Sequence, residues 1–135
     1  MAAYQKNRKY DPTVQIMAMK SKYPQFKAKR GKDGNISFKG PLQVKPELPV
    51  YTIEVVYRDD NSPRVYILDP VPVVGAPHIY SNTQSLCLYH PDNFKWVKSK
   101  LVANEIMGWI AGWIYFYEYW LQNGDWIGPE VPHGL

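Results

Sequence analysis

The chain has 135 residues, 45% apolar and 15% aromatic, which supports one hydrophobic core and excludes the low-hydrophobicity, high-charge composition of a disordered chain. Eleven basic and three acidic residues give positions 1–50 a charge of +8, while five and nine give positions 51–135 a charge of −4, for a net +4. The single cysteine, Cys87, excludes an intrachain disulfide and any zinc site built from several cysteines.

An isolated thiol suits a reducing compartment, and MAAYQKNRKYDP contains no apolar run of the secretory type. We therefore expect a cytoplasmic, single-domain protein over residues 1–135, with 1–10 a basic tail and 123–135 an irregular one. Asp11-Pro12 pairs an N-cap acid with proline at the first helical position. It predicts a helix from Pro12 to about Lys22, with Val14, Met17 and Ala18 on one face and Pro24 limiting it. Residues 27–34, KAKRGKDG, read as a charged loop closing on a turn. Alternation then predicts a short strand at Ile36–Phe38 that Leu42–Val44 continues past Gly40-Pro41. Stronger strands follow at Tyr51–Tyr57 and Arg64–Leu68, separated by the turn-rich Asp59–Pro63. Short connections between successive strands argue for an antiparallel meander.

Residues 69–98 have no clear period and contain Pro70, Pro72, Pro77 and Pro91, together with Cys87, His78 and His90. A loop this long inside a compact domain is usually functional. A long helix closes the domain, with Leu101, Val102, Ile106, Trp109, Ile110, Trp113, Ile114, Tyr117, Trp120 and Leu121 at three- and four-residue steps and a C-cap at Asn123-Gly124. Its opposite face carries Gly108, Ala111 and Gly112; ordinary packing is the plainer reading, close approach of a second element the sharper one. The apolar stretch Ile106–Tyr117 ends at Glu118 after twelve residues, short of the roughly 20 that a membrane span needs. The fold class is thus α+β, with an N-terminal helix, an antiparallel meander of three to four strands, a Pro-rich loop and a C-terminal helix.

Chemistry has few places to reside. A cysteine flanked by leucines is ordinarily a small core residue, and it becomes a nucleophile only where its thiolate is accessible and supported. An acyl-transfer site also needs donors for an oxyanion. His78, Tyr80, Asn82 and Ser85 lie within nine residues of Cys87, as do backbone N–H groups of the loop. The positions 78, 87, 90 and 133 match no zinc-binding pattern. His90-Pro91-Asp92-Asn93 reads as a turn, although His90 or Asp92 has the chemistry to deprotonate an incoming lysine. Lys6, Arg8, Lys9, Lys20, Lys22, Lys27, Lys29 and Arg30 bracket the first helix. Without an accompanying nucleic-acid motif they suit a protein-docking face better than a nucleic-acid one.

The order of elements, with Pro77-His78-Ile79-Tyr80, Leu86-Cys87-Leu88 and Trp96, resembles the ubiquitin-conjugating enzyme (UBC) fold. In that family a His-Pro-Asn motif precedes a catalytic cysteine by about ten residues, and a tryptophan follows. Phe38–Pro41, Tyr51–Val55 and Pro63–Val65 are similar to its first strands, so the resemblance covers about residues 11–122. The closing Trp113…Tyr117–Trp120…Gly124–Glu130…His133 resembles a narrower group, the bacterial ubiquitin-conjugating-like proteins of CBASS antiphage operons. The resemblance implies that Cys87 carries a protein C-terminus as a thioester and passes it to an amine, without a cofactor. The partners it implies are a cGAS-like nucleotidyltransferase and an activating (adenylating) enzyme; the apolar stretch is too short for a membrane partner, and nucleic acid stays the weaker reading of the basic set. The chain departs from the motif at the family's oxyanion-supporting asparagine. Tyr80 stands two places after His78, so His78 is the first choice for that role and Asn82 the second. A non-catalytic adaptor of the same fold is the alternative function.

Overall fold

The computed structural model describes residues 12–89 and 92–129. Asp11, the basic residues Lys6, Arg8 and Lys9, the His90-Pro91 pair, and His133 lie outside them. Helix α1 spans Pro12–Lys22, followed by strands β1 Lys27–Arg30, β2 Ile36–Leu42, β3 Tyr51–Arg58 and β4 Asn61–Asp69, then helices α2 Val102–Glu105 and α3 Met107–Asn123. The strands form one antiparallel sheet in the order β1-β2-β3-β4, the meander expected from its short connections. Among the described residues no helix is long and apolar enough to cross a membrane.

The alternation seen in the sequence becomes the two faces of this sheet. Ile36 and Phe38 of β2, Tyr51, Ile53, Val55 and Tyr57 of β3, and Val65 and Ile67 of β4 are all buried and share one core with Met107, Ile110, Trp113, Ile114 and Tyr117 of α3. Gly40-Pro41 does not interrupt β2, which runs through them as one strand with Pro41 opposite Thr52. The β1 pairing ends at Lys39, so Pro41 sits where β2 has a neighbour on one side only, the setting in which a strand accepts proline.

Four expectations are corrected. KAKR is a strand, not a loop: β1 is exposed at all four positions, so it shows no apolar alternation and is held by the ladder to β2. The buried side of α1 carries Gln15 and Met19, whereas Val14 and Met17 are exposed. Gln15 is buried because it is fully used, its Nε2 donating to Lys100 O at 2.6 Å and its Oε1 accepting from Val102 N–H at 3.1 Å. The closing helix is divided at Ile106. Its first turn, α2, takes the Gln15 side chain as acceptor for Val102 N–H in place of a cap of its own. Leu121, expected on the buried stripe, is 44% exposed. The C-cap expectation holds: Gly124 has φ +79 and donates its N–H to Trp120 O at 2.8 Å, the left-handed end that glycine adopts without steric cost.

Candidate active site

Residues 78–87 fold into a small loop against β4. Ile79 bridges Leu86, Tyr80 N–H donates to Ser85 O at 2.9 Å, and Gln84 N–H donates to Tyr80 O at 2.7 Å. Leu86 N–H reaches Val65 O at 2.9 Å and ties the loop to the sheet. The turn is tight enough to put His78 and Gln84 in the left-handed region, at φ +58 and +61. Cys87 N–H donates to His78 O at 2.8 Å, so the backbone itself holds the histidine and the cysteine side by side. That amide is consequently engaged and unavailable to a bound oxyanion.

Cys87 as a residue is 2% exposed, but it lines a half-open cavity of about 260 Å³. Helix α3 provides one wall, through Gly108, Trp109, Gly112, Trp113 and Phe116. The chain beyond it returns Trp126 and Pro129, and Trp126 packs on the His78 ring at 4.8 Å between centroids. Gly108 and Gly112 are therefore the floor of a cavity: a side chain at Gly108 would meet nothing within 4 Å. Among the described residues no Asp, Glu, Lys or Arg lines this space, and the Trp113 indole N–H, buried within its wall, has no acceptor.

Burial pushes the Cys87 thiol above its ordinary pKa, and a hydrogen bond from the Tyr80 hydroxyl opposes that shift. The same environment pushes Tyr80 up to about 12, with desolvation first and Cys87 second. Tyr80 is thus a protonated donor facing the sulfur wherever a thiol titrates. Asn82 lies elsewhere. It is exposed in the turn and lines a second cavity with Arg58, Arg64, Thr83 and Ser85.

The structure brings Cys87 and His78 together and leaves Asn82 across the loop. Sequence reasoning weighed Tyr80 among the donors without selecting it, and it missed Trp113, Phe116 and Trp126. The readable signal was the pair of small residues one helical turn apart, Gly108 and Gly112, in an otherwise aromatic helix. With this geometry established, comparison with known proteins gives one family: a model described as Type II CBASS E2 protein matches residues 15–134. No curated protein matches the chain.

Proposed function

Because the chain belongs to the Type II CBASS E2 protein family, we propose that it works as a ubiquitin-conjugating-like acyl carrier on Cys87, acting in CBASS defence on a cGAS-like nucleotidyltransferase. The observation that carries this reading is the seat of the thiol, which lines a half-open aromatic cavity floored by Gly108 and Gly112, with no charged side chain among its described lining residues and with Tyr80 favouring the thiolate. In the loading step the Cys87 thiolate attacks the thioester carbonyl of a protein C-terminus held by an activating enzyme. The new C–S bond forms as the old one breaks, and the activating enzyme's thiolate leaves. In the transfer step an amine attacks the same carbonyl, Cys87 leaves as thiolate, and the amine's surplus proton passes to water. The two thioesters are nearly equal in energy, so the protein's contribution is positioning and support of the tetrahedral oxyanion. This reading assigns the task to the Tyr80 hydroxyl, which favours the thiolate, and to the Trp113 N–H in the cavity wall, with His78 beside them. Asn82, across the loop, takes no part in this version of the site.

Incubating the protein with the nucleotidyltransferase and activating enzyme of its operon, with ATP, tests the reading on non-reducing gels. A thiol-labile adduct is expected with wild type and is lost in Cys87→Ala. An unchanged adduct in that variant, or none with wild type, overturns it. The near-complete burial of Cys87 favours one second reading, a non-catalytic adaptor that binds the nucleotidyltransferase. Stable association with the partner, combined with no reaction of native Cys87 with iodoacetamide, would establish that reading instead.

A further inference from the structure

A second cavity, of about 250 Å³, lies on the other side of the 78–87 loop. Its chemistry is the opposite of the first. Arg58 from the end of β3 and Arg64 from β4 both line it, facing Asn82 and Thr83 of the turn, and among the described residues no Asp or Glu does. Neither arginine pairs with a carboxylate among the described residues; the nearby Asp59 and Asp60 are taken by Lys98, at 3.8 and 3.7 Å.

Arg58 is also held in place. Its Nε and Nη2 donate to the Ser62 carbonyl at 3.0 and 2.6 Å, which fixes the guanidinium plane and leaves its remaining N–H groups without an acceptor among the described residues. Burial first, and the like charge of Arg64 second, hold this guanidinium below its ordinary pKa range. Two uncompensated positive charges around one polar cavity repel each other, and an anion between them removes that repulsion while accepting the remaining donors. A planar fork of this kind suits a carboxylate or a phosphoryl group, whose oxygens accept two parallel N–H bonds.

We propose that this cavity is an oxyanion-binding site, in which Arg58 and Arg64 hold a carboxylate or phosphoryl group of a ligand and the Asn82 carboxamide supplies a further donor. The site gives Asn82 a role that the thiol cavity does not. Leu86 and Leu88, the neighbours of Cys87, and Tyr80 contribute to its wall, so an acidic group bound here lies beside the thiol but outside its cavity. The inference needs no thioester chemistry and stands or falls independently of it.

Amide correlation spectra of the full chain, titrated at constant ionic strength with inorganic phosphate and separately with succinate, test it, with sodium chloride as the reference. Saturable shifts are expected at the Arg58, Ser62, Asn82 and Thr83 amides. Arg64→Gln, a change on an exposed side chain, should weaken them by roughly tenfold or more and leave the core amides unmoved. Arg64→Lys should recover only part of the affinity. Binding of phosphate alone identifies a phosphoryl-bearing ligand, and binding of succinate identifies a carboxylate-bearing one; either result supports the site. Shifts no larger than those with chloride, or affinity unchanged from wild type in both Arg64→Gln and Arg58→Gln, overturn it.

Discussion

Residues 36–69 and residues 70–101 are neighbours in the chain but are held by different kinds of bond. In the first stretch β2, β3 and β4 pair along antiparallel ladders, with alternate side chains of β2 and β3 and the centre of β4 in the core. In the second, beyond the backbone bonds of the 78–87 turn, single side chains link the loop to distant elements. The Tyr117 hydroxyl accepts from Val73 N–H at 2.9 Å, Trp96 Nε1 donates to Asp59 O at 2.8 Å, the Tyr57 hydroxyl donates to Lys98 O at 3.0 Å, and Gln15 holds Lys100 and Val102. The ladder distributes its stability over many equivalent bonds, whereas the loop concentrates its order in a few residues. The thiol and both cavities lie in or against the second kind of structure.

The largest expected effect tests the ladder side of this contrast. Ile53, on the central strand β3, has no exposed surface, and Ile53→Ala should cost about 2–5 kcal/mol of global stability from lost burial and the cavity left behind. Gln15→Ala strips the partners from buried peptide groups and should cost less, about 1–3 kcal/mol. The two should also differ in where the loss appears. Hydrogen exchange should accelerate throughout the sheet in Ile53→Ala, and selectively at residues 96–102 in Gln15→Ala. If Gln15→Ala speeds exchange in the sheet as much as in the loop, the two regions form one cooperative unit and the contrast fails.

A smaller effect is expected at Gly128. A Cβ there would come within 2.4–2.8 Å of the Phe116 ring, too close for either group to stay in place. Gly128→Ala should therefore push the returning segment outward, lifting Trp126 from His78 and opening the cavity beside Cys87. Global stability should change by less than about 1 kcal/mol, since the segment lies at the edge of the core. Tryptophan fluorescence should shift to the red, and alkylation of native Cys87 should accelerate several-fold. An unchanged alkylation rate would show that Trp126 does not control access to the thiol.

The same contrast explains what could be read from the sequence. The limits of α1, the strand at Tyr51 and the Gly124 cap were legible because each follows from local rules: proline at the first helical turn, a period of two, glycine at a left-handed end. Strand β1 was not, because an exposed edge strand has no apolar pattern. The face of α1 was misread because Gln15 outcompetes Val14 and Met17 for burial through bonds to residues 83–87 positions away in the chain. Within the site, Cys87 and His78 could be paired because the loop between them is short. Gly112, Trp113 and Trp126 could not be assigned to it, because α3 and the segment after it meet the loop only in the folded chain, and Tyr80 could not be singled out from the loop's other donors, because the turn that brings it to the sulfur forms only on folding. Asn82, close to Cys87 in sequence, is carried by the turn into the arginine-lined cavity.

The smallest effect concerns the hydrogen bond between Tyr80 and the sulfur. Burial raises the Cys87 pKa, and the Tyr80 hydroxyl, by donating to the sulfur, lowers it part of the way back. Tyr80→Phe removes the opposing contribution and keeps the ring. The pH profile of Cys87 alkylation should then move upward by roughly half a pH unit to one unit, since one unit corresponds to about 1.4 kcal/mol and a single hydrogen bond is worth no more than that order. At neutral pH this appears as a several-fold slower reaction, because only the thiolate attacks. Linkage gives a second sign. A thiol whose folded pKa lies above its unfolded one contributes its full stability below the unfolded value and loses it as pH rises through the folded value. Raising the folded pKa further extends that alkaline loss to higher pH in Tyr80→Phe. A profile that stays in place or moves downward would mean that the tyrosine does not favour the thiolate, and the oxyanion would then have to rely on the Trp113 N–H and His78.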